Sequence, residues 1–289
     1  MSRKIEWGRG FVHLTLLLLA VVCIVPLLLV VSASFSDETA IAEYGYTIIP
    51  KSISMYAYRY ILSNPSQIFS AYEVTIIVTI VGTALSLLIS SCLAYALSRR
   101  DFAYRRGFAF FIYFTMLFNG GLVPSYMLVT QTLHLKNSLG SLILPYLIVP
   151  WFVLLLRTYF SEIPEPLLES AKLEGAGELR ILWNIVLPLS LPAIATVGLF
   201  IILMYWNDWY LALLYLDDSH KFPLQYLLYT IMQNLSAIKA NPMPGMAIHL
   251  PGENTRMAIA VLATGPILFV FLFVQRYFVA GLKVGAVKG

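Results

Sequence analysis

Apolar residues run along this chain in long uninterrupted blocks, without the two-residue alternation of a half-buried strand. Stretches free of Asp, Glu, Lys and Arg cover Gly10–Ser36, Val74–Ser98, Gly107–Leu135, Asn137–Leu156, Ile181–Asn207 and Met257–Gln275. A helix needs about 20 mostly apolar residues to cross a hydrocarbon core, and each block meets or nearly meets that length. The last is the shortest. Tyr277–Leu282 extends it around Arg276, whose long stem lets the guanidinium snorkel to the interface. A seventh run, Phe222–Ile238, opens at Pro223 and carries Gln225, Gln233 and Asn234; it reads as a surface helix outside the membrane. The pattern predicts an all-α, polytopic membrane protein with six transmembrane helices. Residues 1–73 would hold the first span and an external segment, and residues 74–289 the main transmembrane domain.

Composition sharpens the class. Of the 289 residues, 59% are hydrophobic and 12% charged, and the mean hydropathy is +0.79. Soluble domains run about half apolar and a quarter charged. A soluble enzyme, a nucleic-acid binder or a disordered chain is therefore disfavoured, whereas a chain solvated by lipid needs little surface charge. Cys23 and Cys92 both lie inside apolar blocks. They read as small buried hydrophobes, without disulfide or metal spacing. The first block is too long for the apolar core of a cleavable signal peptide.

The charges then give the spans a direction. With six spans both termini share one side, and that side holds 13 of the 19 Lys and Arg residues. They are Arg3, Lys4, Arg9, Arg99, Arg100, Arg105, Arg106, Arg157, Lys172, Arg180, Arg276, Lys283 and Lys288. The other side holds Lys51, Arg59, Lys136, Lys221, Lys239 and Arg256. Cytoplasmic loops carry the cationic excess, so both termini are expected in the cytoplasm. A seventh span would move the tail's cations outside and weaken the asymmetry.

The loop between spans four and five breaks the local charge pattern. It carries Glu162, Glu165, Glu169, Glu174 and Glu178, a third of the chain's 15 acidic residues, on the basic side. Pro164 and Pro166 suit a first helical turn, and Leu167, Leu168, Ala171 and Leu173 give a short helix an apolar side. Gly175-Ala176-Gly177 then stops it. A second short helix is expected over about Glu178–Leu187, ending at Pro188. Such a pair either lies on the lipid or docks on a cytoplasmic partner, and its acidic character disfavours an anionic membrane surface.

Glu169-Ser170-Ala171, Gly175 and Ile185-Val186-Leu187-Pro188 resemble the "EAA" motif of ABC importer permeases. The ending Gln275–Gly289 resembles the tail of the maltose-type carbohydrate uptake family, in its MalG-like branch. The resemblance covers roughly Val74 to Gly289, with mild departures at Ser170, Glu174 and Leu182. It implies a type I ABC importer permease fold and alternating-access transport. It further implies a homologous second permease, two copies of an ATPase docked on Glu169, Ser170, Ala171, Gly175, Leu187 and Pro188, and an extracytoplasmic substrate-binding protein. ATP and Mg would sit in the ATPase, with no cofactor in this chain. That division agrees with the sequence, which lacks the Gly-x-x-x-x-Gly-Lys-Ser/Thr phosphate loop and shows neither HExxH nor GxSxG. Gly285, Lys288 and Gly289 in the tail are expected to help couple the ATPase.

The transported solute is expected to be an oligosaccharide. Spans three to five resemble the branch handling plant or algal polysaccharide fragments, including uronate-containing ones such as alginate or pectin oligomers. An importer of a non-sugar solute is the alternative within the family. A self-contained secondary transporter would need buried charges for ion coupling, and beyond Asp208 the spans hold almost none. Along the path, Asn119-Gly120-Gly121 with Pro124 is either a kink lining a cavity or a close packing site. Tyr205, Trp206, Asn207, Asp208 and Trp209 either stack on and hydrogen-bond a sugar or form an interfacial aromatic belt. Outside, Pro244, Gly245 and Asn254 lie in a loop that either reaches into the binding protein or simply connects helices.

Overall fold

The computed structural model describes residues 2–240 and 252–286. Among the described residues, fifteen α-helices run in order. They are α1 (Ser2–Ser34), α2 (Glu38–Tyr44), α3 (Tyr56–Ile61), α4 (Pro65–Ser98), α5 (Arg105–Leu117), α6 (Leu122–Met127), α7 (Gly140–Ile143), α8 (Pro150–Ser161), α9 (Glu165–Leu173), α10 (Glu178–Ile181), α11 (Leu187–Leu189), α12 (Leu191–Trp206), α13 (Tyr210–Tyr215), α14 (Leu224–Ala240) and α15 (Glu253–Ala286). A π-helical turn, Leu182–Val186, joins α10 to α11.

Among the described residues, three helices are long and apolar enough to cross a membrane alone, within α1, α4 and α15. Three bent pairs bring the number to six if each is one span: Arg105–Leu117 with Leu122–Thr132, Gly140–Tyr146 with Pro150–Ser161, and Glu178–Leu189 with Leu191–Trp206. These six coincide with the six apolar blocks, and α14 is too short to join them. The bends have local causes. Gly121 takes φ +92° and its N–H donates to Asn119 Oδ1 at 2.8 Å, and the chain turns through 112° there, the kink of the two alternatives. Val149 is held extended before Pro150, as the proline ring demands, and the chain bends 49°. Ser190, just before Leu191-Pro192, breaks the third pair at 85°. Residues 181–189 therefore do not continue span five in a straight line, and Pro188 does not end the second short helix, which continues to Leu189.

The chain divides into two compact units. Met1–Pro65 with Leu228–Pro266 is one, and Ser66–Leu227 with Ile267–Gly289 the other. In the first, the segment after α1 folds back through a Ser36–Ile53 bridge, and Asp37 caps α2 by accepting from Thr39 N. Glu38 then caps a second helix distant in sequence. Its two carboxylate oxygens accept from the free N–H groups of Glu253 (2.9 Å) and Asn254 (3.2 Å) at the start of α15, where the helix dipole also favours an anion. A Cβ on Gly252 would overlap that carboxylate. Gly252→Ala is accordingly expected to push the cap away and cost about 1–2 kcal/mol, read as a lower thermal midpoint of the purified protein.

In the second unit, α4 contributes Val74, Val78, Ala94, Tyr95 and Leu97 to the core. Its inward face carries Thr75, Thr79, Thr83, Ser86 and Ser90, all buried, at the three- and four-residue spacing of one helical side. Small residues let helices approach closely. At Gly82 a Cβ would lie 2.6–2.8 Å from three ring carbons of Tyr205 in α12. Around this contact Val153 and Leu156 of α8, Ile181, Leu182 and Val186, and Val197 and Ile201 of α12 form the core. Cys92 and Cys23 are exposed on helix surfaces instead of buried, because the apolar blocks have lipid-directed faces as well as packed ones.

Candidate coupling site

The segment after α8 builds a two-helix knob from purely local signals. Pro164 precedes α9 and Pro166 sits in its first turn, Glu165 lies at the positive end of the helix dipole and Lys172 at the negative end. Helix α9 ends in a Schellman motif. Gly175 N donates to Lys172 O and Ala176 N to Ala171 O, both at 3.0 Å, with Gly175 at φ +83°. This is the left-handed closure that favours glycine. Gly177 is extended at φ −72° and starts the second helix; nothing in its backbone requires glycine.

The knob is anchored on one side and open on the other. Leu168, Ile181, Leu182 and Val186 are buried, with Ala171 and Leu187 half-buried against the same core. Glu169, Ser170, Gly175 and Pro188 are exposed. Leu173 is 90% exposed, and Leu179 and Trp183 also stand free of the core. An apolar side chain so exposed, beside the carboxylates of Glu169 and Glu174, which make no ion pair among the described residues, is suited to a protein contact. Ala171 and Leu187, expected on the docking face, serve mainly as anchors. Glu169 is the fifth residue of α9, too far in for a strong interaction with the helix dipole, which fades beyond the first turn.

Ion pairs between distant segments tie this knob to the end of α4. Lys172 Nζ lies 2.7 Å from Asp101 Oδ2 and 2.6 Å from Glu178 Oε1. Arg99 lies 3.3 Å from Asp101 and 4.0 Å from Glu178, Tyr95 donates its hydroxyl to Glu178, and Arg100 pairs with Glu165 at 3.2 Å. The Lys172 hydrogen bond is the main cause holding the Asp101 carboxyl below its ordinary range. Asp101 in turn raises Lys172, so both stay charged through the neutral range. Beside the cluster lies a cleft of about 400 Å³ walled by Cys92, Ala96, Phe102, Leu179 and Leu182. The signal available in the sequence was the Arg-Arg-Asp run 99–101 placed on the same side as the acidic loop.

Residues 105–284 match the family described as the binding-protein-dependent transport system inner membrane component. The chain belongs to this family. Among its relatives, the polygalacturonan/rhamnogalacturonan transport system permease protein YtcP of Bacillus subtilis is 42% identical, over 95% of this chain and 96% of that one. The arabinooligosaccharides transport system permease protein AraQ of Halalkalibacterium halodurans is 30% identical over 94% and 93%. A chain from the crystal structure of a bacterial ABC transporter involved in the import of the acidic polysaccharide alginate superposes with a TM-score of 0.79. It is 29% identical, over 96% of this chain and 99% of that one. The protein is thus a membrane-embedded permease component of an ABC importer with the type I fold, and the ATPase is a separate subunit. Such a system works with a second permease and a substrate-binding protein.

The remaining candidate residues of the permease divide sharply. Tyr205 and Trp206 are buried, not on an open wall. Tyr205 donates to Ile143 O at 2.9 Å and packs edge-on to Tyr146. Asp208 accepts from Tyr146 Oη at 3.1 Å and from Leu211 N at the start of α13, so its carboxylate is already engaged. Asn207 and Trp209 stay exposed. Asn119 is exposed and holds the α5–α6 turn. Asn254 is only 2% exposed and donates to Ser36 O at 3.3 Å, which removes it from any contact with a binding protein. Pro244, Gly245, Lys288 and Gly289 lie outside the described residues. Gly285 lies within α15, which continues to Ala286.

Proposed function

We propose that this permease imports uronate-containing oligosaccharides, passed to it by an extracytoplasmic binding protein. The observation that carries this reading is that two proteins aligned over nearly the whole chain, YtcP and the alginate importer, are both named for acidic polysaccharides. The external cations add little support. Lys221 already donates to Asn137 O at 2.9 Å and Arg256 pairs with Glu253 at 2.9 Å, and the side chain of Lys239 is outside the described residues.

In this reading both termini are cytoplasmic, as the cation asymmetry implies, and the 161–188 knob faces the ATPase. The complex holds a homologous second permease and two ATPase copies, which carry ATP and Mg. Their closure pushes the knobs and rocks the bent helices between outward- and inward-open states. The solute path passes the exposed Asn207 and Trp209. A reporter fused after Gly289 should read cytoplasm and one inserted at Asn241 the outside; the reverse, Gly289 outside and Asn241 inside, would make 222–238 a seventh span.

The substrate is tested by deleting the gene in its host and measuring uptake of labelled trigalacturonate and of maltotriose. Trigalacturonate uptake should fall at least tenfold while maltotriose uptake is unchanged. Loss of maltotriose uptake alone would assign the permease to a neutral sugar.

A further inference from the structure

Helix α4 is not adjacent to the knob in sequence, yet Val74, Val78, Ala94, Tyr95 and Leu97 place it in the same core. The knob's neighbours in sequence are α8 and α12, and a push on the knob reaches those two through the chain itself. Any push on α4 must travel through side chains.

Away from its close packing on Tyr205 at Gly82, the inward face of α4 offers little polar grip. The hydroxyls of Thr79, Thr83, Ser86 and Ser90 are buried and have no hydrogen-bond partner among the described residues. Side chains this small and unbonded do not lock a helix in register. Polar anchors lie at the two ends. At one, Thr75 Oγ1 accepts from Leu224 N at 2.7 Å. At the other stand Tyr95 and Arg99 with Asp101, joined to Lys172 and Glu178 of the knob. The last two residues straddle the Gly175–Gly177 break, so the Lys172–Glu178 pair also fixes α9 against α10.

We infer that the Lys172–Asp101–Glu178 cluster is a lateral strut that makes α4 and the knob move as one body, with Lys172 as its positioning residue. The geometry supports a mechanical role more than an energetic one. Lys172, Asp101 and Glu178 side chains are 35%, 53% and 50% exposed, and half-exposed pairs are individually weak. One ammonium held by two carboxylates from separate elements nevertheless fixes their spacing. Arg99, 11% exposed, closes the cluster from the α4 side. Pushing by the ATPase would then be delivered to three helices at once instead of two.

This inference rests on the reading that the knob docks the ATPase, and the test separates the two. Nitroxides placed at Leu189, on the knob, and at Ile80, on α4, both exposed, report their separation in the assembled complex. The separation is measured without nucleotide and after trapping with ADP and vanadate. The unmodified strut should keep the distance distribution the same in both states. Lys172→Met and Asp101→Asn should match it without nucleotide and shift or broaden it on trapping, and Lys172→Arg should restore invariance. ATPase should co-purify with all of these variants at the level of the unsubstituted complex. An invariant distance in both Lys172→Met and Asp101→Asn would overturn the strut. So would a change already present before trapping, which would make the cluster part of the resting fold alone. Loss of ATPase from Lys172→Met would assign Lys172 to the docking contact instead. Retention of ATPase by Gly175→Asp and Glu169→Lys would fail the docking reading whatever the distances show.

Discussion

Gly175→Asp should strip the ATPase from the permease while leaving the permease in the membrane. No atom lies within 4 Å of a Cβ built on Gly175, so the new side chain meets nothing in its own chain. What remains inside the permease is the left-handed backbone at φ +83°, which costs a non-glycine residue about 1–2 kcal/mol. A penalty of that size at a loop end does not unfold a domain held by the α4–α8–α12 core. On the proposed docking face the outcome differs, because an added unpaired charge in a close contact costs about 2–5 kcal/mol, and each 1.4 kcal/mol is about tenfold in affinity. Glu169→Lys should behave alike: Glu169 is exposed and makes no ion pair among the described residues, so reversing it is cheap within the chain. Co-purified ATPase per permease should fall at least tenfold for both variants, with unchanged permease in the membrane fraction. Normal co-purification with both would move the docking site elsewhere.

Gly82→Leu should have the opposite profile and remove the folded permease itself. Even a methyl group here meets the Tyr205 ring at 2.6–2.8 Å. The ring is restrained, because its hydroxyl is held by Ile143 O at 2.9 Å and Tyr146 packs against it in a T-shaped arrangement. Overpacking of this kind costs about 1–3 kcal/mol for a small intrusion, so Gly82→Ala should lower the thermal midpoint and Gly82→Leu should exceed the tolerance of the site. Replacing the ring relieves the clash. Tyr205→Leu combined with Gly82→Ala should recover a midpoint above that of Gly82→Ala alone. A double variant no better than Gly82→Ala would show that the close approach of α4 and α12 is not set by this pair.

These two glycines also mark what could be read from the sequence. Gly175 was legible because its conformation is dictated locally: a short helix, a glycine break, and the carbonyls of Ala171 and Lys172 closing on it. Gly82 was not, because its requirement comes from Tyr205, far along the chain. The six apolar blocks were legible because lipid imposes a length on any spanning helix. Their bends were not, since apolar composition carries no angle. Ile181, Leu182 and Val186 fall both in the fifth apolar block and in the second short helix expected over 178–187; the sequence could not say that they would bury themselves in the protein core. Asn254 looked like an exposed loop residue because the groups that bury it, Ser36 and Glu38, come from the other end of the sequence. The aromatic string at 205–210 suggested a sugar platform, but two of its rings fill the core. Local signals placed the knob, whereas distant pairings decided which candidate residues remained available to a partner.

The central claim is that this chain works as one permease of a heteromeric ABC importer driven through its 161–188 knob. Its most direct measurement is purification of the affinity-tagged chain from its own host membranes in mild detergent, followed by mass spectrometry of what comes with it. The account predicts one copy of a second permease of the same family and two copies of an ATPase that carries the phosphate-binding loop absent from this chain. Recovery of the tagged chain alone, or with copies of itself and no ATPase, would contradict it.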